Sequence, residues 1–207
     1  MSLDSWQNLF AQVEIVEPNA EDYGISQTDF QNDVMSIEEC NFFEREMGIN
    51  LPDPYKEFCQ VFGSGCFGRE FIAIQCPSDF WLNSSNPSKL DCIRHSIEHS
   101  SQTAANNKEL IKLINSAFVF GGYDYFTVFW DVRTYKHEDN SCDIYWALDE
   151  CFQGEIFRVG RDFSEFIQEF CLGNALLESL PPSFHGLINE IAPIFERYPR
   201  IPVEDNE

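Results

Sequence analysis

The stretch SIEECNFFEREMGINLPDPYKEFCQVFGSG, from Ser36 to Gly65, decides the fold because its local signals all agree. Ser36 followed three residues later by Glu39 is a capping box, which satisfies two backbone N–H groups at a helix start. Gly48 suits the left-handed turn that ends a helix. The sequence therefore predicts a helix that ends near residue 47. Its apolar face carries Ile37, Cys40, Phe43 and Met47.

A second helix follows after the short link Gly-Ile-Asn-Leu-Pro. Asp53 can cap it, and Pro54 suits its first position, where a missing N–H costs nothing. The glycine-rich turn at 63–65 ends it. We therefore predict two helices in succession, the second with an aromatic face. That face carries Tyr55, Phe58, Cys59 and Phe62.

This order of parts resembles the opening of the SUKH superfamily, which includes Smi/Knr-type cell-wall-assembly regulators and many bacterial immunity proteins. Two further segments carry the resemblance. AFVFGGYDYFTVFWDV (117–132) resembles the family's central strands and turn, and DFSEFIQEFC (162–171) resembles its closing helix. The resemblance spans roughly residues 37–172 and implies a SUKH-like single α+β domain.

The order of the predicted elements along the chain agrees with an α+β fold, because helices come first, strands follow and helices come last. We predict a twisted, mostly antiparallel central sheet of about four to six strands, with helices before and after it packed on one face. A hairpin turn is expected at Gly121-Gly122. Strands are expected at 71–74, 118–120, 126–131, 143–148 and 155–159, and further helices at 90–100 and 109–114.

Both ends of the chain extend beyond the region of resemblance. A short amphipathic helix, capped by Asp4 or Ser5, is expected before a polar loop at 17–33. Asp162 can cap the closing helix, and a last helix is expected after Pro181-Pro182 and before Pro193. We therefore divide the chain into an acidic N-terminal extension (1–33), the SUKH-like domain (34–173) and a C-terminal helical extension and tail (174–207).

Charge and composition restrict the function. The 207 residues carry a net charge of −22, yet 20 Phe, 7 Tyr and 4 Trp supply the aromatic core that a disordered acidic chain lacks. Residues 1–50 hold 11 Asp and Glu against the single basic residue Arg45. Nucleic acids and anionic membranes would be repelled, whereas a basic protein would be attracted. The alternative is that the acidic residues serve only solubility, which explains the same composition equally well.

Eight cysteines follow no disulfide or zinc spacing, and no secretion signal precedes them, so we expect a reduced, cytoplasmic protein. No apolar stretch is long enough to cross a membrane. Cys92, His95 and His99 fall at helical spacing and form the best candidate metal site. No fourth ligand is evident, so surface histidines beside a buried thiol are the preferred interpretation, and no cofactor is assigned.

No motif for catalysis is present. Asp149 and Glu150 are adjacent carboxylates, but among 35 acidic residues such a pair arises by chance, and a solvated hairpin turn explains it. No nucleophile has the surrounding sequence of a catalytic motif. We therefore predict that the protein is not an enzyme.

The sequence favours a non-catalytic protein-binding module. In the bacterial branch, the resemblance implies an immunity protein, which would neutralise a toxin domain such as a basic nuclease. The alternative is a regulatory scaffold that binds a cellular protein, as the cell-wall regulators do. Trp130 is a candidate aromatic anchor, although a position in the core is the preferred interpretation. The candidate partner-binding residues are Glu14, Glu17, Glu21, Asp22, Trp130, Asp149 and Glu150.

Overall fold

The structure, a computed structural model, describes residues 2–23, 26, 31–68, 72–77, 86–99, 104–123, 126–148, 156–173, 175 and 192–200. Helices and strands alternate early in the chain and a run of strands follows. The helices are α1 (Leu3–Phe10), a 3₁₀ turn (Ala20–Tyr23), α2 (Ile37–Met47), α3 (Asp53–Val61), α4 (Asn86–His99), α5 (Ala104–Asn115) and α6 (Phe163–Glu165, continued as a π-helix over Phe166–Cys171). The strands are β1 (Glu14–Val16), β2 (Gly65–Phe67), β3 (Ile72–Ile74), β4 (Ala117–Tyr123), β5 (Phe126–Lys136), β6 (Ser141–Leu148), β7 (Ile156–Gly160) and β8 (Ile194–Arg197).

The predicted helix pair is confirmed as α2 and α3. Ser36 and Glu39 form the capping box, and Gly48 ends α2 in the left-handed conformation at φ 63°. The side chain of Met47 was expected inside but is 47% exposed, because it lies at the last turn of α2. Asp53 does not cap α3: Pro52 occupies the cap position without a side-chain hydrogen bond, and Asp53 is the first helical residue.

Helix α1 is also confirmed, but its cap differs from the prediction. The Ser2 hydroxyl accepts the hydrogen bond from the Ser5 N–H, so neither Asp4 nor Ser5 caps the helix. Trp6 points inward and contacts the rings of Phe58 and Phe62 on α3. Helix α1 therefore packs on α3 through aromatic edges.

Among the described residues, eight strands form one sheet in the order β1-β8-β2-β3-β4-β5-β6-β7. The predicted antiparallel meander is confirmed by the pairing of β4 with β5, β5 with β6 and β6 with β7. Strands β1, β2 and β8 were not predicted, so the sheet has more strands than the four to six expected. Strand β8 has the most distant partners. It returns from the end of the chain to lie between β1, which it pairs in parallel, and β2, which it pairs antiparallel. Strands from both terminal extensions thus belong to the central sheet, and the three-part division of the chain stays a prediction.

Helices cover both faces of the sheet, which corrects the expectation of one covered face. The larger cluster joins α1, α2, α3 and α6 to one face, where Trp130 and Trp146 point. On the other face, a smaller cluster joins α4 and α5 to Val119, Phe129 and Ala147. Alternation along β5 explains the division, since neighbouring residues of a strand face opposite sides.

Gly121 and Gly122 lie within β4 and not in a turn, which corrects the sequence prediction. Val119 pairs with Phe129 and Gly121 with Val128, so Phe120 is the extra residue of a β-bulge. A Cβ on Gly121 would lie 2.4 Å from the Ala73 carbonyl oxygen of β3. Glycine therefore permits the close approach of β3 and β4.

The closing helix α6 begins as predicted, because the Asp162 side chain accepts a hydrogen bond of 2.9 Å from the Glu165 N–H. The predicted inward residues Phe163, Phe166, Ile167 and Phe170 are all buried in the larger cluster. The helix predicted after Pro181-Pro182 lies outside the described residues.

Candidate interaction surface

The acidic residues that follow α1 lie on and just after β1, an edge strand of the described sheet. The short strand β1 contains Glu14, Ile15 and Val16. Ile15 packs against the larger cluster, whereas Glu14 and Val16 point away from it and are exposed. Alternation along the strand thus presents a carboxylate beside an aliphatic side chain on one face.

The backbone of β1 is anchored on one side. The Glu14 N–H donates a hydrogen bond of 2.9 Å to the Pro193 carbonyl, and residues 14–16 align with 194–196 of β8. In the described ranges no strand pairs with the opposite edge of β1. An edge of this kind carries backbone donors and acceptors that a partner can use.

Glu17 lies just beyond β1 and forms an ion pair with Arg197 of β8, at 3.2 Å between Glu17 Oε1 and the guanidinium. Most contacts of the Arg197 guanidinium are with groups other than Glu17. It donates hydrogen bonds to the carbonyls of Val61 and Phe62, and its guanidinium lies 4.8 Å from the centre of the Phe10 ring. Arg197 therefore fixes the start of the acidic segment to the core.

The 3₁₀ turn Ala20–Tyr23 carries the other two predicted carboxylates. Ala20 is buried, whereas Glu21 and Asp22 are exposed. The Asn19 side-chain oxygen accepts a hydrogen bond of 3.3 Å from the Glu21 N–H and so stabilises the turn. We call Glu14, Val16, Glu17, Glu21 and Asp22 the acidic β1 surface.

The acidic β1 surface keeps most of its negative charge. Residues 1–50 contain one Lys or Arg, Arg45, and it lies on α2. Arg197 comes from the far end of the chain and neutralises Glu17, with which it pairs. Exposed carboxylates of one sign create a potential that attracts cationic partners. The described carboxylates therefore give this surface a negative potential.

Trp130 is not a surface anchor. It is 1% exposed and packs between aromatic rings, with its centroid 4.0 Å from Phe120 and 4.7 Å from Tyr55. The strand places it on the face covered by α3, so tertiary packing explains its burial. Asp149 and Glu150 lie outside the described residues.

A buried polar group that the sequence did not predict lies where residues 31–33 meet β2 and the C-terminal segment. Asp33 accepts a hydrogen bond from the Ser64 hydroxyl, which in turn accepts one of 2.8 Å from the Cys76 N–H. Arg200 lies 3.7 Å from the other Asp33 oxygen. Burial raises the pKa of Asp33 above its usual value. These contacts link distant segments, so no local sequence pattern signals them.

Four buried cysteines of the described chain have a shifted pKa. Burial raises the pKa of Cys59 and Cys171, and it raises that of Cys142 to about 12. A hydrogen bond with Cys59 lowers the pKa of Cys40, which is fully enclosed in the core. The described cysteines form no disulfide with one another. A thiol that stays protonated or enclosed is a poor nucleophile.

The candidate metal residues lie on α4, where His95 is exposed as expected. Cys92 is also exposed, which corrects the expectation of a buried thiol. The side chain of His99 is outside the described part of the structure. Among the side chains that are described, no group of three or more His, Cys, Asp or Glu has an arrangement that could hold a metal ion.

Residues 35–169, well over half of the chain, match the family model described as the SMI1/KNR4 family (SUKH-1). The chain belongs to the SMI1/KNR4 family. The match begins beside the capping box at Ser36 and ends within α6, so it includes the helix pair and the meander. Comparison with curated proteins and with solved structures found no match.

Membership of the SMI1/KNR4 family supports a protein-binding or immunity-type module and suggests a protein partner. Members of the SUKH group are generally non-catalytic immunity or regulator proteins. In the described residues, no helix has the length and apolar character that a membrane span requires.

Proposed function

We propose that this SMI1/KNR4-family protein is a non-catalytic immunity protein of the cytoplasm, which neutralises a toxin by binding a basic domain through the acidic β1 surface. The observation that carries the proposal is the exposed row of carboxylates on and after β1, within a family of binding modules. A nuclease domain is a fitting target, because its active site is basic in order to hold phosphates.

The anchoring of the acidic β1 surface supports this proposal. A binding surface gains affinity when its groups are held in position before the partner arrives. Here β8 pairs with β1, and Arg197 ties Glu17 to the end of α3. Glu14, Glu21 and Asp22 remain exposed on this fixed segment. The partner therefore meets carboxylates whose backbone is already ordered.

The first experiment identifies the partner. Tagged wild-type protein is used to recover bound proteins from the native cell, and the recovered protein is identified and purified. We expect a protein with a basic domain, encoded beside the gene for this chain. Recovery of an acidic partner only, or of no specific partner, would contradict the proposal.

The second experiment tests the surface with the purified partner. Reversing the charge of Glu14, Glu21 and Asp22 to Lys should slow association by about tenfold or more at low salt, because steering acts on the association rate. Glu17 is left unchanged because it pairs with Arg197.

A matched control changes the same charge elsewhere. Glu98, Glu165 and Glu169 are exposed on α4 and α6, and their reversal to Lys alters the net charge equally. The control should reduce the association rate much less than the β1 variant does. Equal loss in both variants would assign the effect to total charge and would overturn the role of the acidic β1 surface.

A regulatory scaffold is the second candidate, favoured by the branch of the superfamily whose model matches. In that case the partner is a cellular protein and no toxin is involved. The neighbouring gene discriminates between the two: a toxin gene directly upstream supports immunity, and co-expression of that toxin should kill cells that lack this chain. Rescue by this chain would exclude the scaffold as its main role.

A further inference from the structure

We propose that the outward face of α2 is a second docking surface, on which the Phe42 ring enters an apolar pocket bordered by basic side chains on the partner. This inference rests on the proposed function, because it assigns a further contact to the same basic partner. We call Glu38, Phe42, Arg45 and Glu46 the α2 surface.

Phe42 is conspicuous because most aromatic side chains of the described chain are buried. It is 57% exposed, the largest value among the exposed large hydrophobic residues, and Met47 on the same helix has the next largest. The others are Leu3 and Val16. Met47 follows Phe42 by five residues and therefore lies on the core-facing side of α2, at its last turn, so Phe42 is the exposed apolar side chain of the outward face. Aromatic side chains are enriched at protein interfaces relative to the rest of the surface.

Arg45 lies over the Phe42 ring and restricts its orientation. Its guanidinium carbon lies 5.9 Å from the centre of the ring, one helical turn away. A ring whose orientation is already restricted loses less entropy on binding. Aromatic and arginine side chains are also the residues that most often dominate binding energy.

Carboxylates on the same face determine the chemistry of the partner. Glu38 lies four residues before Phe42 and Glu46 four residues after it, and all three side chains are exposed. A pocket for Phe42 must therefore sit beside groups that tolerate two carboxylates, which favours Lys or Arg at its rim. A second copy of this chain is disfavoured, because each copy carries a net charge of −22.

The test measures equilibrium binding of the purified partner identified above to single variants. Phe42→Ala should weaken binding by about tenfold or more, and Arg45→Gln by a smaller factor. Leu3→Ala, an exposed apolar residue of α1, is the control and should bind as the wild type does. The thermal midpoint of each variant, measured alone, should match that of the wild type, since the side chains are exposed.

The outcomes separate this inference from the proposed function. A basic partner that binds Phe42→Ala as tightly as the wild type would overturn the α2 surface and leave the proposed function intact. Failure to recover a basic partner with the wild type would overturn both. Sedimentation that shows a wild-type dimer, dissociated by Phe42→Ala, would assign the α2 surface to self-association and overturn the choice of partner.

Discussion

Arg200 donates a hydrogen bond of 2.7 Å to Glu39, the same carboxylate whose other oxygen accepts the Ser36 N–H at the start of α2. A residue near the end of the chain therefore contacts the capping box that the sequence predicts. These contacts lower the pKa of Glu39, the hydrogen bond from the Ser36 backbone most of all.

We predict that Glu39→Gln lowers stability at neutral pH by about 0.5–1 kcal/mol, since Gln can retain the cap but loses its charge. A carboxyl whose pKa is lowered in the folded state stabilises the fold at pH values above its ordinary pKa of 4.5. That contribution is lost as pH falls through the lower folded-state pKa. Urea unfolding of both proteins should therefore differ at pH 7 and converge in acid. Glu38→Gln, on the same turn, is the control, and a pH-independent difference for Glu39→Gln would contradict the prediction.

The helix pair could be predicted because its signals are local. The capping box at Ser36, the left-handed Gly48 and the spacing of Phe58 and Phe62 each act within a few residues of the chain. The meander was predictable for the same reason, since short loops join strands that are neighbours in the sheet. These parts of the fold were predictable from the sequence because their local signals agree.

Strand β8 could not be predicted, because its partners are distant in sequence. Residues 194–196 pair with 14–16, and no pattern in either segment specifies the other. The candidate site shares this difficulty. Composition identified the acidic segment, but the ion pair of Glu17 with Arg197, the burial of Trp130 and the exposure of Phe42 all depend on tertiary packing.

Gly121 provides a test of the close approach between β3 and β4. A Cβ at this position would lie 2.4 Å from the Ala73 carbonyl oxygen, a backbone atom that cannot move freely. Gly121→Ala should therefore destabilise the protein by about 1–3 kcal/mol in urea unfolding. Gly160 in β7 is the matched control, because a Cβ there meets no atom within 4 Å. Equal effects at the two glycines would show that the contact with Ala73 is unimportant.

Trp130 should contribute to stability and not to the rate of binding. Trp130→Ala removes a ring that packs on Phe120 and Tyr55, so we expect a loss of roughly 3–5 kcal/mol in unfolding free energy. Trp130→Phe should cost less, because it keeps a ring and removes an indole N–H that has no hydrogen-bond partner within the described structure. If Trp130→Phe folds normally but associates more slowly with the partner, the side chain contributes to the interface after all.

Two sets of contacts link β8 to the rest of the protein through Arg197: hydrogen bonds to backbone carbonyls and an ion pair with Glu17. Variants of the two residues show which set matters more for stability. Arg197 donates hydrogen bonds of 3.1 and 2.7 Å to the carbonyls of Phe62 and Val61, and a lysine cannot reproduce this forked geometry. Arg197→Lys should therefore cost about 1–3 kcal/mol, because at least one carbonyl at the end of α3 loses its partner. Glu17→Gln should cost less than about 1 kcal/mol, since about half of the Glu17 side chain is exposed and its ion pair is screened. Urea unfolding of both variants and of the double variant measures the coupling. If Glu17→Gln proves as costly as Arg197→Lys, the ion pair holds β8, and the carbonyl contacts do not.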